Sequence, residues 1–144
     1  METNEIVTFG MQLKKLFQKK YEPIIQKYDL RPVEIDILVF LDKRKHMDTA
    51  KEIIQGCHLS KAHVSKSIDN LKSRGFVDIT EDEDDRRILH ICLTDKSKEV
   101  IDMAMESCTK CREVMLKDIS KEDIDVVKNV ISKISDNIIE DLNQ

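Results

Sequence analysis

Tryptophan is absent from this 144-residue chain, and glycine and proline are scarce, at three and two residues. An all-β sandwich needs more turn formers than that, and so do long disordered linkers. Aromatic residues make up 4% of the chain and charged residues 36%. That balance points to a helical, well-solvated protein with an aliphatic core. No apolar run approaches the length of a membrane span. Glu2, Glu5, Lys14 and Lys15 interrupt any secretory apolar segment near the start. The expectation is one soluble, cytoplasmic domain with no membrane partner, in which Cys57, Cys92, Cys108 and Cys111 are thiols. Net charge is −4, so no global positive field draws the chain onto nucleic acid.

Enzyme signatures are missing too. There is no glycine-rich phosphate loop, no nucleophile elbow and no recognisable pair of catalytic carboxylates. His46, His58, His63 and His90 show no tight ligand spacing, so no dedicated metal site is expected. No cofactor and no catalytic activity are expected either.

What is present is helical periodicity. Ile6, Phe9, Leu13, Leu16, Phe17, Tyr21, Ile24 and Tyr28 follow a three-four rhythm, which predicts one long amphipathic helix over 5–27. Pro23 should kink or break it. Arg31-Pro32 opens a second helix with proline near its first position, and Val33 to Leu41 is dense enough for burial on several sides. Asp48 and Thr49 are capping types ahead of a short helix that Gly56 is expected to close. The turn Gly56-Cys57-His58-Leu59 leads to Ser60, a natural N-cap. Helix, tight turn and second helix make a helix-turn-helix.

In the second of those helices Val64, Ile68 and Leu71 form one buried stripe, and Gly75 is a C-terminal stop. Lys61, His63, Ser65, Lys66 and Lys72 lie off the stripe. Residues 59–75 carry Lys61, Lys66, Lys72 and Arg74 against Asp69 alone, a local cationic patch of the kind phosphates require. Residues 76–80 alternate apolar and polar, residues 81–85 are an acidic loop, and residues 87–93 alternate again. This is a β-hairpin wing. Thr94 and Ser120 are expected to cap two further helices, with Ile119 and Ile124 at the staple positions around Ser120 and an apolar stripe running to Leu142. The fold class is mainly α with a small hairpin, a winged helix-turn-helix between helical arms. Its expected parts are a DNA-binding lobe over 31–94 and dimerisation helices over 1–30 and 95–144.

The arrangement resembles the MarR family of transcription regulators over nearly the whole chain. The wing pattern of that family, Asp-x-Arg, alternating apolar residues and then Leu-Thr, is matched by Asp85, Arg87 and Leu93-Thr94. The segment Leu59-Ser60-Lys61 with Val64-Ser65-Lys66, Leu71 and Arg74-Gly75-Phe76-Val77 matches the recognition helix. The resemblance implies a homodimer shaped like a flattened triangle, with the first helix and the last two forming the dimer region. It implies palindromic operators and release by small ligands, metals or oxidation. It places Arg87 in a minor groove and makes Asp85 a brace for the hairpin tip. The physics is compatible: arginine on a thin hairpin suits a narrow minor groove, and paired recognition helices read half-sites about one helical turn apart.

The expected function is a sequence-specific regulator of double-stranded DNA, a repressor released by a small-molecule effector. Candidate DNA contacts are Ser60, Lys61, Ala62, His63, Ser65, Lys66, Arg86 and Arg87. Tyr21, Phe40 and Met105 are the candidate lining of an effector crevice. Cys108 and Cys111 sit inside a helix, where residues three apart hold their Cβ atoms about 5–6 Å apart, too far for an unstrained disulfide. They read first as small core hydrophobes. The alternatives are a redox-sensing regulator of the same fold using Cys108, Cys111 or the more exposed Cys92, and a winged helix that binds protein rather than DNA.

Overall fold

The computed structural model describes residues 1–144. The order of elements is α1 (Thr3–Lys20), α2 (Glu22–Tyr28), α3 (Pro32–Lys43), α4 (Ala50–Cys57), α5 (Lys61–Ser73), β1 (Val77–Glu81), β2 (Leu89–Leu93), α6 (Ser97–Met115) and α7 (Lys121–Leu142). Packing divides the chain into two compact units, residues 1–111 and residues 112–144. No helix is long and apolar enough to cross a membrane.

The predicted helix over 5–27 is two helices. Pro23 has no N–H for a continuous ladder, and it takes a place in the first turn of α2, where none is needed. α2 ends on Asp29 in the left-handed region (φ 52), a conformation that aspartate tolerates. Pro32 then opens α3, as expected.

Thr49 caps α4. Its side chain accepts the Glu52 N–H, and the Glu52 carboxylate accepts the Thr49 N–H at 3.0 Å, a reciprocal box. Gly56 does not close this helix. It lies inside α4, and the stop is His58 in the left-handed region. The reason for glycine is the ring of Phe40 on α3: a Cβ at position 56 would lie 2.2 Å from Phe40 Cε2. Gly75 does end its helix, at φ +77.

The core of the first unit is aliphatic. Ile24, Ile35, Ile37, Leu38, Ile53 and Leu71 are all fully buried, and Phe76 is the one fully buried aromatic side chain, with Tyr28 edge-on to it at 6.2 Å. β1 and β2 pair antiparallel with Val77 opposite Leu93 and Ile79 opposite Ile91. Both strands start later than the alternation suggested: Phe76 turns into the core, and Arg87 and Ile88 belong to the hairpin loop. The backbone between α3 and α4 joins the free side of β2, where Ile91 N–H donates to the Asp48 carbonyl at 2.8 Å.

Thr94 does not cap α6, which starts at Ser97. Its hydroxyl donates to the Gly75 carbonyl at 2.6 Å, with the Phe76 carbonyl at 3.1 Å, and so closes the open end of the hairpin. In the second unit, Ser120 caps α7 by accepting the Asp123 N–H.

Candidate nucleic-acid interface

Helix α5 is presented by two fastenings. At its start, Ser60 Oγ accepts the His63 N–H at 3.2 Å. One side is buried through Val64, Ser67, Ile68 and Leu71, while Lys61, Ala62, His63, Ser65, Lys66, Asp69 and Lys72 are exposed. The stripe and its polar opposite therefore fall as the spacing predicts. The second fastening was not legible. Glu34, completely buried at the start of α3, accepts from the Arg31 N–H (2.9 Å), from Arg31 Nε and Nη2 (3.1 and 2.9 Å) and from Asn70 Nδ2 on α5 (2.7 Å). A buried carboxylate is tolerable only with such a complete set of donors. The one local signal for it is the Glu three residues after the cap position.

Arg74 belongs to this fastening rather than to the cationic patch counted from the sequence. Its guanidinium donates to the Asp29 carbonyl at 2.7 Å and to the Tyr28 carbonyl, and it lies over the Phe76 ring. Lys61, Lys66 and Lys72 remain on the exposed side.

The wing is ordered by its own aspartates. Asp85 Oδ1 accepts both the Arg87 N–H and Arg87 Nε at 3.0 Å, and Oδ2 accepts Nη2 at 3.0 Å. The guanidinium holds the Asp85 carboxyl below the ordinary aspartate range, with the backbone N–H adding to it. Arg87 is nonetheless 90% exposed, so this pair fixes a direction more than it contributes stability. Arg86 has only a loose 3.9 Å approach to Glu81 and is equally exposed. Of the two arginines, Arg87 is the tethered one and Arg86 the freer one.

Behind the tip, Asp82 Oδ2 accepts the N–H groups of Asp84 and Asp85 at 3.0 and 3.1 Å. Its Oδ1 faces His90 Nε2 at 2.7 Å, and His90 Nδ1 faces Asp48 Oδ1 at 2.6 Å. The two carboxylates push the His90 pKa up to about 9, the Asp48 hydrogen bond first and the Asp82 one second. His90 in turn, with the two backbone N–H groups, holds Asp82 below its ordinary range. Ligand-spacing rules do not reveal this bridge, because its members lie far apart in the chain.

Tyr21, Phe40 and Met105 do not line one crevice. Tyr21 borders a hollow formed with Lys14, Phe17, Lys20, Val33 and Asp36. Its hydroxyl donates to Asp36 Oδ1 at 2.7 Å, and burial raises the pKa of both groups. Phe40 instead covers Gly56 on α4, and Met105 borders a separate hollow with Asp42, Asp95, Lys98 and Asp102. The cysteines are all free: Cys92 exposed, Cys57 and Cys108 half-buried, Cys111 buried. Lys20 Nζ donates to Cys108 Sγ at 3.1 Å. No group of three or more His, Cys, Asp or Glu side chains is arranged to hold a metal ion.

Residues 28–88, from the end of α2 to the wing, match the sequence model of the MarR family. No curated protein sequence matches the chain. Among solved structures, a protein of Listeria monocytogenes described as a MarR-family transcriptional regulator, complexed with a 26-mer DNA, superposes with a TM-score of 0.82 at 14% identity, covering 98% of this chain and 91% of that one. A MarR protein from Peptoclostridium difficile gives 0.82 at 22% identity, covering 96% and 89%. Bordetella bronchiseptica BpsR, whose DNA binding is regulated by 6-hydroxynicotinic acid, gives 0.76 at 15% identity, covering 94% of each chain. At such identities the superpositions establish the fold, and the sequence match falls on the lobe that carries α5 and the wing. Residues 28–88 are thus similar to the MarR family, and the chain has the winged helix-turn-helix fold of these solved structures.

Proposed function

We propose that the chain is a sequence-specific, duplex-DNA-binding transcription regulator that works in the cytoplasm as a homodimer on palindromic operators. The observation that carries this reading is the pairing of α5's exposed face with a wing arginine held outward by Asp85. Lysine, histidine and serine side chains suit the donor and acceptor pattern of a major groove. Lys61, Ala62, His63, Ser65 and Lys66 are the proposed groove-facing residues, with Ser60 at the helix start. Arg87 is the proposed minor-groove residue, Arg86 a phosphate partner and Asp85 the brace.

The homodimer is supported by uncovered apolar faces. Neither α1 nor α7 buries a single residue, and Phe9, Met11, Val126 and Ile131 are each more than half exposed. Monomeric surfaces rarely carry contiguous patches of this kind. Occupancy of an operator excludes other proteins from it, so the proposed sign of regulation is repression. The hollow beside Tyr21 is the proposed effector site. An effector placed there releases DNA only by binding one separation of the recognition helices better than another.

Selection of bound duplexes from a random pool tests the reading. A palindromic consensus with half-sites about one turn apart is the expected result. No enrichment at low salt, together with capture of a protein partner instead, would favour the protein-binding winged helix. A redox-sensing version of the same function rests on Cys108 beneath the Lys20 ammonium and on exposed Cys92. Loss of binding after mild peroxide, abolished in Cys108→Ser, is what that version requires.

A further inference from the structure

His90 is the one residue that touches both the wing and the segment leading into the helix-turn-helix through charged groups. Each of its ring nitrogens faces a carboxylate oxygen, at 2.6 Å and 2.7 Å. An ionised carboxylate only accepts hydrogen bonds, so both nitrogens must donate, and only the imidazolium does that. Beyond His90 the bonds continue. Asp82 gathers the N–H groups of Asp84 and Asp85, and Asp85 grips Arg87 at three points. An unbroken series of charge-assisted contacts thus runs from Asp48, one residue before the Thr49 cap of α4, to the exposed guanidinium. No other ion pair or side-chain hydrogen bond joins the hairpin loop to the segment before α4.

We propose that His90, as an imidazolium clasped between Asp48 and Asp82, is a positioning residue for the wing, fixing the hairpin loop against the helix-turn-helix and thereby setting where Arg87 is presented to DNA. The inference rests on the DNA-binding reading for its purpose but not for the clasp itself. The elements packed against β2 are β1, α3 and α4. Their charged groups near this end are Asp78 and Glu81 on β1, opposite Cys92 and Leu89, with Asp42, Lys45 and Asp48 beside Ile91 and Cys92 and Lys51 beside Leu89; Asp82 and Arg87 stand in the hairpin loop. Asp48 and Asp82 alone are in hydrogen-bond contact with the ring.

Three measurements decide it. Nitrogen-15 NMR of the free protein at pH 7.5 should show both His90 ring nitrogens protonated; a neutral ring there overturns the proposal. In duplex binding, His90→Phe should weaken affinity by about tenfold, as loss of a specific arginine contact does. Combined with Arg87→Ala it should add little, since both changes remove one linked interaction. Unchanged affinity in His90→Phe, or effects that simply multiply in the double variant, would show that His90 does not act through Arg87. Wild-type affinity should fall as pH rises through about 9, and His90→Gln should lose that dependence; equal profiles count against the clasp. Should His90→Phe fail to fold, Asp82→Asn takes its place in the cycle. Should the wild-type chain bind no duplex at all, the DNA reading fails, and amide exchange in the free protein then decides the clasp. Exchange at Asp84, Asp85 and Arg87 at least tenfold faster in His90→Gln supports it, and unchanged exchange overturns it.

Discussion

Asn70 of α5 donates a 2.7 Å hydrogen bond to Glu34, a carboxylate with no exposed surface at the start of α3. This contact sets the roll of α5 about its own axis, because Asn70 lies only three residues from buried Ser67 and one from buried Leu71. Glu34→Ala leaves Asn70 and the half-exposed Arg31 without their acceptor. The expected cost is about 2 kcal/mol of stability, the scale of an unsatisfied buried polar group. Urea unfolding checks it, and a change under 0.5 kcal/mol, the range of ordinary surface substitutions, would show the network to be dispensable.

Gly56 and Phe40 make a second test. Alanine is ordinarily the better helix former, by about 1 kcal/mol, yet here its methyl would meet the Phe40 ring at 2.2 Å. Overpacking costs about 1–3 kcal/mol, so Gly56→Ala should be destabilising on balance. In a Phe40→Ala background the same substitution should become stabilising. A Gly56→Ala variant with a higher melting temperature than the parent would refute the packing argument.

Salt dependence separates the roles of the cations. Arg86→Ala should weaken duplex binding without changing sequence preference and should lower the salt slope by about one. Arg87→Ala should cost about 1–3 kcal/mol of binding and relax preference at the position it reads. Arg74→Ala should act differently, lowering folding stability, since that side chain is bonded to the carbonyls of Tyr28 and Asp29. Comparison of fluorescence-anisotropy titrations over a salt series with thermal melts distinguishes the three.

The His90 bridge makes stability depend on pH in a stated direction. Its folded-state pKa, about 9, lies above the ordinary 6.5. The stabilisation is therefore complete below about pH 6.5 and is lost as pH rises through about 9. The wild-type melting temperature should fall more between pH 7 and pH 10 than that of His90→Gln. Parallel curves would mean that the bridge carries no net stabilisation.

The apolar faces of α1 and α7 bear on assembly. Ile131→Glu places a charge amid Val127, Ile134 and Ile138, all exposed in the single chain. Sedimentation should show a dimer for the wild type and a shift to monomer for this variant, with loss of duplex affinity in parallel. A wild-type chain that sediments as a monomer at micromolar concentration would remove the homodimer from the proposal.

The pieces that could be read from the chain alone share one property: their partners lie within one or two helical turns or one strand alternation. Ser60, Thr49 and Ser120 cap because the N–H they accept is three residues away. Val64, Ile68 and Leu71 face inward because helix geometry repeats. The same locality made the wing legible from its two alternating runs; the Asp85–Arg87 contact, two residues apart, lies where the family resemblance places a brace. What tertiary structure alone decided lies at long separation. Glu34 meets Asn70 across 36 residues, and Asp48 meets His90 across 42. Phe40 makes Gly56 a packing residue instead of a helix stop. Thr94, a capping type by composition, ties the hairpin because the Gly75 carbonyl arrives beside it only when β1 and β2 pair. Tyr21, Phe40 and Met105 parted company for the same reason: a residue's face on its helix follows from periodicity, but which neighbour that face meets is set by how the helices pack.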